Sequence, residues 1–350
     1  MGPEFLTSMK NACNNIQLSV APMMDWTDRH DRYFLRLLAP QTVLFTEMVT
    51  AEALHIGPRA RLLGFDPAEK PLVLQLGGSD PKRLAQAAVW GEAAGYDEIN
   101  LNVGCPSDRV QSGRFGACLM AEPQLVADCV AAMRDRVTVP VTVKHRLGID
   151  DLDSDPLLDR FIDVVAAAGC AVFYIHARKA HLKGLSPKEN RDVPPLQYDR
   201  VHRQKARRPE LSIVINGGLK DPLTIHSTIA GLDGAMIGRE AYQNPCVMAA
   251  MEQVLLGRQS ADIDRAVIAH TMADYIDRNL GQSLQRPQTA LRHLHGLYQG
   301  QPGAKHWRRT LAELGPTASS ARSVIERALP PTARANSVKT ESVLTDNLSR

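Results

Sequence analysis

One cysteine of this chain stands where a side chain could take part in chemistry. Cys105 lies between Gly104 and Pro106, shortly after an apolar run that begins at Glu98 and has the length of a buried strand. A rigid turn that leaves the end of a strand directs its side chains into the cleft that the strand ends face. A thiol held there suits a proton donor or a nucleophile. The alternative is a small buried thiol that fills a gap in the core.

The residues around Cys105 favour the chemical role over the packing role. Asn102 lies three residues before it, Arg109 and Arg114 follow it, and the run 112–120 (SGRFGACLM) is expected to be a mobile loop. Loops of this composition carry function more often than packing. The six cysteines are scattered, with no CxxC pair and no Cys/His cluster at metal-ligand spacing. We therefore expect reduced thiols and no metal site.

The composition is that of an ordinary globular protein. The 350 residues are 44% apolar and 23% charged, which argues against a fibrous or disordered chain. This length suggests one barrel-sized domain and a smaller one. No window has the roughly 18 uninterrupted apolar residues of a membrane span, and nothing near the start resembles a signal peptide. We therefore expect a cytoplasmic protein, and we interpret residues 1–8 as a remnant of cloning and protease cleavage.

Eight apolar runs have the length of strands and are bounded by Gly, Pro or polar clusters. They are 17–21, 43–46, 72–76, 98–101, 141–144, 171–175, 212–215 and 235–237. Helical patterns separate most of them, and four open with Pro after an acidic residue: 81–94, 123–135, 156–168 and 222–229. This alternation predicts a parallel sheet covered by helices. Eight such units favour an α/β fold of the (β/α)8 TIM barrel type over residues 9–243, although the pattern alone leaves an open doubly wound sheet as the alternative.

Helical periodicity dominates the chain from residue 244 onward. The helical patterns there are 245–256, 262–279, 287–297 and 304–314. They predict that a small all-helical domain, residues 244–314, follows the barrel. The remainder, 315–350, is rich in Ser, Thr, Ala and Pro, and we expect a flexible tail apart from a candidate short helix at 320–329.

Glycines and polar residues follow nearly every strand, and in a barrel these carboxyl ends form the active site. Asn216, Gly217 and Gly218 follow the seventh strand, and Gly238 and Arg239 follow the eighth. Loops at this point of a barrel commonly bind phosphate through backbone N–H groups, which glycine allows to approach closely. Arg239 could add a charge-assisted contact. The hypothesis is a phosphate-bearing cofactor, since the chain has neither a GxGxxG after a strand nor a P-loop motif.

Four further residues at the strand ends suit a flavin. Lys144 and His176 could donate hydrogen bonds to a ring that carries negative charge, as a reduced flavin does at its pyrimidine edge. Met23 and Gln75 would pack and hydrogen-bond beside it. These residues follow different strands, and a barrel brings all of its strand ends to one face.

The charge of the chain is unevenly distributed. The net charge is only +3, which by itself indicates no nucleic-acid partner, but the stretch 279–312 contains no acidic residue. Its basic residues are Arg286, Arg292, Lys305, Arg308 and Arg309, with His293, His295 and His306. A stretch of one sign is typical of a surface that binds a polyanion, and a solvated helix face balanced by distant acids is the equal alternative.

The strand ends, taken together, resemble those of the tRNA-dihydrouridine synthases, and within them the bacterial A-type subfamily. The motifs that carry the resemblance occur in this order: APMMDWTD (21–28), QLGGSDP (75–81), INLNVGCPS (99–107), VKHRLGID (143–150), IHARKAHLKGLSPKENR (175–191), INGG (215–218) and IGREAYQNP (237–245). The resemblance covers residues 18–314. One departure is His181, at a position where close relatives often have an aromatic residue.

The resemblance implies the reduction of uridine to 5,6-dihydrouridine in the D-loop of tRNA, at positions 20 and 20a, with tightly bound FMN and with NADPH as reductant. It implies that FMN is held by Pro22, Met23, Met24, Gln75, Lys144, His176, Asn216, Gly217, Gly218, Gly238 and Arg239. Cys105 would give a proton to uracil C5, and Asn102 would contact the flipped uridine. The tRNA would be bound by Lys188 and Arg191 and, from the helical domain, by Lys305 and Arg308.

The chemistry of these residue types agrees with that implication. A hydride added to uracil C6 leaves enolate-like charge on the ring, so a general acid must protonate C5 from the opposite face. A thiol is ordinarily protonated at neutral pH and can serve as that acid. A base inside folded tRNA reaches a barrel mouth only when it is flipped out of its stack. Contacts of Lys and Arg with phosphate would supply most of the affinity.

Two other functions remain open at this point. A flavin barrel of the dihydroorotate-dehydrogenase type, acting on a free pyrimidine, explains the flavin contacts but gives the basic helical domain no role. A tRNA-binding protein without catalysis explains the basic surface but gives Cys105 and the glycines no role. Bound flavin distinguishes the enzymes from the binding protein, and dependence on tRNA distinguishes the two enzymes.

Overall fold

In the computed structural model, which describes residues 16–257 and 263–331, the strands form one parallel sheet. Their bounds are β1 Gln17–Val20, β2 Leu44–Phe45, β3 Val49–Thr50, β4 Leu72–Gly77, β5 Glu98–Val103, β6 Val141–Arg146, β7 Val172–His176, β8 Ser212–Asn216 and β9 Gly234–Ile237. They pair in the order β1-β9-β8-β7-β6-β5-β4-β2, and the short β3 also pairs with β4.

A bridge between the two edges closes this sheet. The Val20 N–H donates to the Val43 carbonyl, and the Val43 N–H donates to the Leu18 carbonyl, both at 2.9 Å. Because Val43 directly precedes β2, eight parallel strands form a nearly closed barrel. The predicted (β/α)8 barrel is confirmed, and the open doubly wound sheet is excluded.

Helices follow most of the barrel strands. Between residues 16 and 238 they are Arg29–Leu38, Ala51–Ile56, Arg59–Leu62, Pro81–Ala94, Asp108–Ser112, Pro123–Arg134, Asp155–Ala167, Tyr198–Arg207 and Pro222–Thr228. At two of the predicted acid-Pro starts, the acid caps the helix. Asp80 Oδ1 accepts from the Arg83 N–H at 3.0 Å, and Asp221 Oδ1 accepts from the Leu223 N–H at 2.9 Å. Among the described residues, no helix combines the length and the apolar character that crossing a membrane requires.

The interior of the barrel has an apolar part and a polar part. Side chains alternate between the two faces of a strand, so every second residue points inward. The apolar cluster consists of Ala21, Phe45, Val73, Tyr174, Val214 and Met236. Gln75, Asn100 and Thr142 are polar, and each is at most 1% exposed. The register pairs Gln75 with Asn100 and Asn100 with Thr142, so β4, β5 and β6 place these three polar groups side by side.

The described residues divide into two units. The barrel unit holds 16–32, 41–238 and 250–257, and the helical unit holds 33–40, 239–249 and 263–331. Beyond residue 238 the helices are Arg239–Gln243, Val247–Leu256, Arg265–Asn279, Gln288–Leu291, Ala304–Leu314 and Ala321–Ala328, with 3₁₀ helices at Arg292–Gly296 and Gly315–Thr317. The core of the helical unit surrounds Trp307, which is fully buried and donates from Nε1 to the Leu294 carbonyl at 2.8 Å.

The helical unit extends further along the chain than the predicted tail boundary at residue 315. In the helix Ala321–Ala328, the side chains of Ala321, Val324, Ile325 and Ala328 are buried in the core that contains Trp307. Their i, i+3, i+4, i+7 spacing gives the helix one apolar face, and burying that face stabilises it. This helix lies where the candidate short helix at 320–329 was predicted, and the structure adds that it belongs to the core. The cloning remnant predicted at 1–8 and the part of the predicted tail at 332–350 lie outside the described residues.

Candidate active site

Cys105 lies on the loop after β5, at the carboxyl ends of the barrel strands. The Oδ1 of Asn102 accepts hydrogen bonds from the N–H groups of Gly104 and Cys105, at 3.1 and 3.0 Å. The Cys105 carbonyl accepts from the Ala117 N–H at 2.9 Å. Cys105 is a partly exposed residue, and its Sγ lies 3.5 Å from Ser107 Oγ. The backbone of Cys105 is thus held from two sides, while the residue is not fully buried.

Of the run 112–120, predicted as a mobile loop, only residues 113–115 lie outside a helix. The 3₁₀ helix Gly116–Ala121 buries Ala117 and Leu119. Gly116 has a φ of +75°, and a Cβ on it would lie 2.6 Å from the Cys105 carbonyl oxygen. Because its apolar residues need burial, this segment packs beneath the Cys105 loop and supports it.

Arg146, the last residue of β6, has a structural role that the sequence did not predict. Its Nε donates to the Gly104 carbonyl at 2.9 Å, and its Nη1 donates to the carbonyls of Lys179 and Asn190 at 3.0 and 2.9 Å. Burial lowers the pKa of Arg146 to about 10, so it remains a cation at neutral pH. Arg146 therefore joins the Cys105 loop to the loop that follows β7.

Lys144, His176 and Asn216 lie together at the strand ends. Lys144 Nζ donates to Asn216 Oδ1 at 3.3 Å, and Asn216 Nδ2 donates to the Met236 carbonyl at 2.7 Å. His176 is paired in register with Asn216 on one side and Arg146 on the other. Three of the predicted cofactor contacts are therefore neighbours on β6, β7 and β8.

The electrostatics of this group follow from burial beside other cations. Burial lowers the pKa of Lys144 to about 7, and the positive charge of Arg146 lowers it as well. Burial and the charges of Arg146 and Lys144 hold the pKa of His176 well below its usual range. At neutral pH His176 is therefore a neutral imidazole, and Lys144 is present in both its charged and its neutral form. An anionic group beside Lys144 would restore its proton.

The glycines after β8 and β9 have the backbone that a phosphate site needs. Gly217 and Gly218 have φ values of +113° and +72°, which favour glycine. A Cβ on Gly217 would lie 2.8 Å from His176 Cδ2, and the Tyr198 hydroxyl donates to the Gly217 carbonyl at 2.7 Å. A Cβ on Gly238 would meet no atom within 4 Å, so the space before it is open. These features fit a bound phosphate group.

The loop after β1 carries Pro22, Met23 and Met24. Met24 is 55% exposed, and the other two are partly exposed. Thr27 fixes the turn, because its Oγ1 accepts from the Met23 N–H at 2.9 Å. These side chains lie at the same end of the barrel as Cys105, where they could line a cofactor.

The side chain of Gln75 forms hydrogen bonds inside the barrel that the sequence did not predict. It is 1% exposed, its Nε2 donates to Asn100 Oδ1, and its Oε1 accepts from Asn102 Nδ2, both at 2.8 Å. One N–H and one lone pair of the amide remain for a cofactor. Asn102 likewise keeps one N–H of its Nδ2 for a substrate.

The predicted tRNA contacts fall in two places. Lys188 and Arg191 are exposed at the 3₁₀ helix Glu189–Arg191, after β7, and the charge of Arg191 lowers the pKa of His176. Lys305 and Arg308 lie in the helical unit, on the exposed side of the helix Ala304–Leu314. Arg239 begins the helix Arg239–Gln243, which also belongs to the helical unit.

The barrel mouth thus combines a partly exposed cysteine, a lysine whose pKa is about 7, a neutral imidazole and a glycine-lined backbone. A thiol can give one proton to a substrate atom, and nearby cations can stabilise the thiolate that remains. A thiolate at Cys105 would lie close enough to Lys144 and Arg146 to raise the pKa of both. The arrangement suits proton transfer beside an anionic cofactor.

Comparisons with known proteins add a family and a fold. The family profile described as dihydrouridine synthase (Dus) matches residues 19–330 of this chain. The tRNA-dihydrouridine(20/20a) synthase of Salmonella typhi is 52% identical over 330 residues, which are 94% of this chain and 98% of that protein. The proteins of the same name from Escherichia coli and a Synechocystis species are 54% and 53% identical, over 89% of this chain and 90% and 93% of those proteins.

Among solved structures, a 2-naphthoyl-CoA reductase in complex with 2-naphthoyl-CoA is similar with a TM-score of 0.55. The match covers 71% of this chain and 53% of that chain, at 10% sequence identity. At this identity the likeness concerns the fold alone.

Proposed function

Because this chain belongs to the dihydrouridine synthase family, we propose that it reduces uridine to 5,6-dihydrouridine in the D-loop of tRNA. The similar proteins carry positions 20 and 20a in their names, and we extend both positions to this chain. The observation that carries the proposal is the placement of Cys105. This partly exposed cysteine stands on a loop that Asn102 and Arg146 fix beside Lys144. Because the substrate is tRNA, the proposed place of action is the cytoplasm.

The cofactor of the proposed reaction is FMN, with NADPH as reductant. When bound, FMN supplies the hydride that uracil C6 receives. The fit rests on Gly217, Gly218 and Gly238, whose conformations and open space suit the phosphate group. Lys144 and His176 would bind the pyrimidine edge of the ring. Lys144 would do so as a cation, because an anionic ring raises its pKa again, and His176 would do so as a neutral imidazole that donates a hydrogen bond.

The remaining proposed FMN contacts complete the binding site. Pro22, Met23 and Met24 would pack against the ring, and Gln75 would bind it with the N–H that the barrel leaves unused. Asn216 would orient Lys144, since its Oδ1 accepts from Nζ. The contact of Arg239 with the phosphate stays a prediction from the sequence.

Cys105 is the proposed general acid. The C5–C6 double bond is reduced when C6 gains a hydride and C5 gains a proton, and the proton comes from the Cys105 Sγ. The thiol becomes a thiolate, which Lys144 and Arg146 stabilise by their positive charge. Asn102 serves twice, because its Oδ1 holds the backbone of Cys105 while its Nδ2 has one N–H for a uracil carbonyl.

The uridine must leave the tRNA fold to reach this thiol, and basic side chains must hold the tRNA while it does. Lys188 and Arg191 are exposed beside the loop that Arg146 secures, and we propose that they bind phosphates near the flipped base. Lys305 and Arg308 stand on a helix face within a stretch without acids, and we propose that they bind the tRNA from the helical unit.

A direct test is to incubate the protein with FMN, NADPH and tRNA that lacks dihydrouridine. Nucleoside mass spectrometry should then show uridine converted to a product heavier by two hydrogens, and fragment mapping should place it at positions 20 and 20a. The reaction without NADPH is the control. No conversion by a protein that holds FMN, or conversion at other positions alone, would contradict the proposal.

A further inference from the structure

A line of hydrogen bonds leads from the Cys105 loop into the interior of the barrel. The Cys105 N–H donates to Asn102 Oδ1 at 3.0 Å, and Asn102 Nδ2 donates to Gln75 Oε1 at 2.8 Å. Gln75 Nε2 donates in turn to Asn100 Oδ1 at 2.8 Å. Each amide accepts through its oxygen on the side of the loop and donates through its nitrogen toward the opposite end of the barrel.

The line continues to a carboxylate near the amino-terminal ends of the strands. Asn100 Nδ2 donates to Thr142 Oγ1 at 2.9 Å, and the Thr142 hydroxyl donates to Glu98 Oε1 at 2.5 Å. The Tyr174 hydroxyl donates to the two Glu98 oxygens at 3.2 and 3.3 Å, and it accepts from Gln17 Nε2 at 2.9 Å. Every one of these donors points toward Glu98.

The two ends favour this direction. A backbone N–H such as that of Cys105 can only donate, and Glu98 accepts from the hydroxyls of Thr142 and Tyr174. Reversing any amide between them would bring two nitrogens or two oxygens face to face. Gln75, Asn100 and Thr142 are at most 1% exposed and Asn102 is 8% exposed. Bulk water therefore cannot supply the hydrogen bonds that a reversed amide would lose.

Residue spacing explains how one strand builds most of this line. Glu98, Asn100 and Asn102 are alternate residues of β5 and therefore share its inward face. The register supplies the links from the neighbours, since Gln75 and Thr142 both pair with Asn100. Burial raises the pKa of Glu98 to about 7, while the hydrogen bonds from Thr142 and Tyr174 oppose that rise. Burying a carboxylate costs desolvation free energy, whereas an apolar residue of similar size would fill the same space without that cost.

We propose that Glu98 and Thr142 are positioning residues for the reduction, because they end a one-way line of hydrogen bonds that fixes the amide of Asn102 and thereby the Cys105 loop. The inference rests on the proposed function, in which Cys105 gives the proton and Asn102 contacts the uracil. Neither Glu98 nor Thr142 touches the substrate in this account. They act through Asn100, which lies between them and the residues at the mouth.

Thr142→Val tests the proposal, because it replaces the linking hydroxyl by a methyl group of similar size. Asn100 then loses its acceptor and the amides above it lose their fixed direction. We expect the reoxidation of the protein's flavin by tRNA to slow by about tenfold to a hundredfold at saturating tRNA. With FMN added in excess, because Gln75 is both on the line and a proposed FMN contact, tRNA affinity and reduction by NADPH should stay close to wild type. Thr142→Ser, which keeps the hydroxyl, should restore the rate of reoxidation.

The matched control is Ser19→Ala. Ser19 is also a fully buried hydroxyl on a barrel strand, but its bond goes to the Ala235 carbonyl at 3.4 Å, away from the line. We expect Ser19→Ala to leave reoxidation by tRNA unchanged. If both variants slow it equally, or if Thr142→Val slows both half-reactions together, the residues are merely structural and the proposal is overturned.

A second pair of variants covers the case in which Thr142→Val does not fold. Glu98→Leu removes the final acceptor and should slow reoxidation by tRNA, whereas Glu98→Gln keeps an oxygen for the Thr142 hydroxyl and should stay near wild type. Equal loss in Glu98→Leu and Glu98→Gln would overturn the proposal. Failure of the proposed function has a different signature, because then tRNA would not reoxidise the flavin of the wild-type protein at all.

Discussion

The N–H of Cys105 and the side-chain oxygen of Asn102 lie 3.0 Å apart, so the strand that ends at Val103 fixes the loop that follows it. Asn102 belongs to β5, and its amide is held in turn by Gln75 on β4. The position of the thiol therefore depends on the packed interior of the barrel as well as on the loop itself.

Replacing Cys105 by alanine removes the proposed proton donor. We expect Cys105→Ala to keep FMN and tRNA binding but to form dihydrouridine about 10² to 10⁴ times more slowly, the usual range for loss of a general acid. Single-turnover product formation measures this. Cys118→Ala is the control, since Cys118 is a partly buried cysteine whose Sγ contacts the Phe115 carbonyl. Wild-type product formation by Cys105→Ala would show that another group supplies the proton.

Lys144 should make FMN binding depend on pH. Burial lowers its pKa to about 7, so at pH 8 it is mostly neutral in the flavin-free protein. An anionic cofactor restores its charge, and FMN binding at pH 8 should therefore take up close to one proton and weaken as the pH rises above 7. Calorimetry in two buffers of different ionisation heat measures the uptake. Lys144→Met should abolish it, and equal uptake by the variant would refute the assignment.

Gly217 should tolerate no side chain. A Cβ there would lie 2.8 Å from His176 Cδ2, at a φ of +113°. We expect Gly217→Ala to lower the melting temperature and to weaken FMN binding, because it adds a clash with His176 to backbone strain. Gly231→Ala is the matched control, since its φ is +80° and a Cβ would meet nothing within 4 Å. Gly231→Ala should lower the free energy of unfolding by about 1 to 2 kcal/mol through backbone strain alone, and it should leave FMN affinity unchanged.

The melting temperatures and the FMN dissociation constants of the two glycine variants have to be compared side by side. Equal losses of stability with equal FMN affinity would mean that Gly217 is needed only for its backbone conformation. The phosphate site would then lie elsewhere.

Lys305 and Arg308 should contribute to tRNA affinity through charge. Replacing both by alanine should weaken tRNA binding and flatten the slope of log affinity against log salt by about 1 to 2. The control removes one lysine and one arginine at the amino-terminal end of the barrel, Lys70→Ala with Arg136→Ala. Both control residues are exposed, and Lys70 pairs with Asp97 at 2.9 Å. An identical salt slope for the two double variants would show that the helix face does not bind phosphate.

The fold could be predicted because its signals are local. The caps of the helices Pro81–Ala94 and Pro222–Thr228 are set by residues within three positions of Asp80 and Asp221, and short apolar runs mark the strands. The short helix Ala321–Ala328 was predicted as a candidate at 320–329, but its membership in the core was not. That membership depends on packing against residues of other helices, which stabilises a short amphipathic helix and which no local pattern reports.

The site was predictable residue by residue but not in its connections. The role of Arg146 depends on carbonyls of Gly104 and Asn190, which are more than 40 residues away in the chain, and no local pattern reports such contacts. The line of hydrogen bonds to Glu98, in contrast, is visible in part in the sequence. Glu98, Asn100 and Asn102 alternate with apolar residues, which indicates three polar side chains on one buried face of a strand.

Whether tRNA is the substrate can be tested by following the flavin of the wild-type protein in the absence of oxygen. The protein is reduced with NADPH, tRNA lacking dihydrouridine is added, and reoxidation is recorded by absorbance, with free uridine and orotate in parallel. We predict prompt reoxidation by tRNA and none by either free pyrimidine. If tRNA leaves the flavin reduced while a free pyrimidine reoxidises it, the barrel acts on a small molecule and the claim of a tRNA-directed reductase is contradicted.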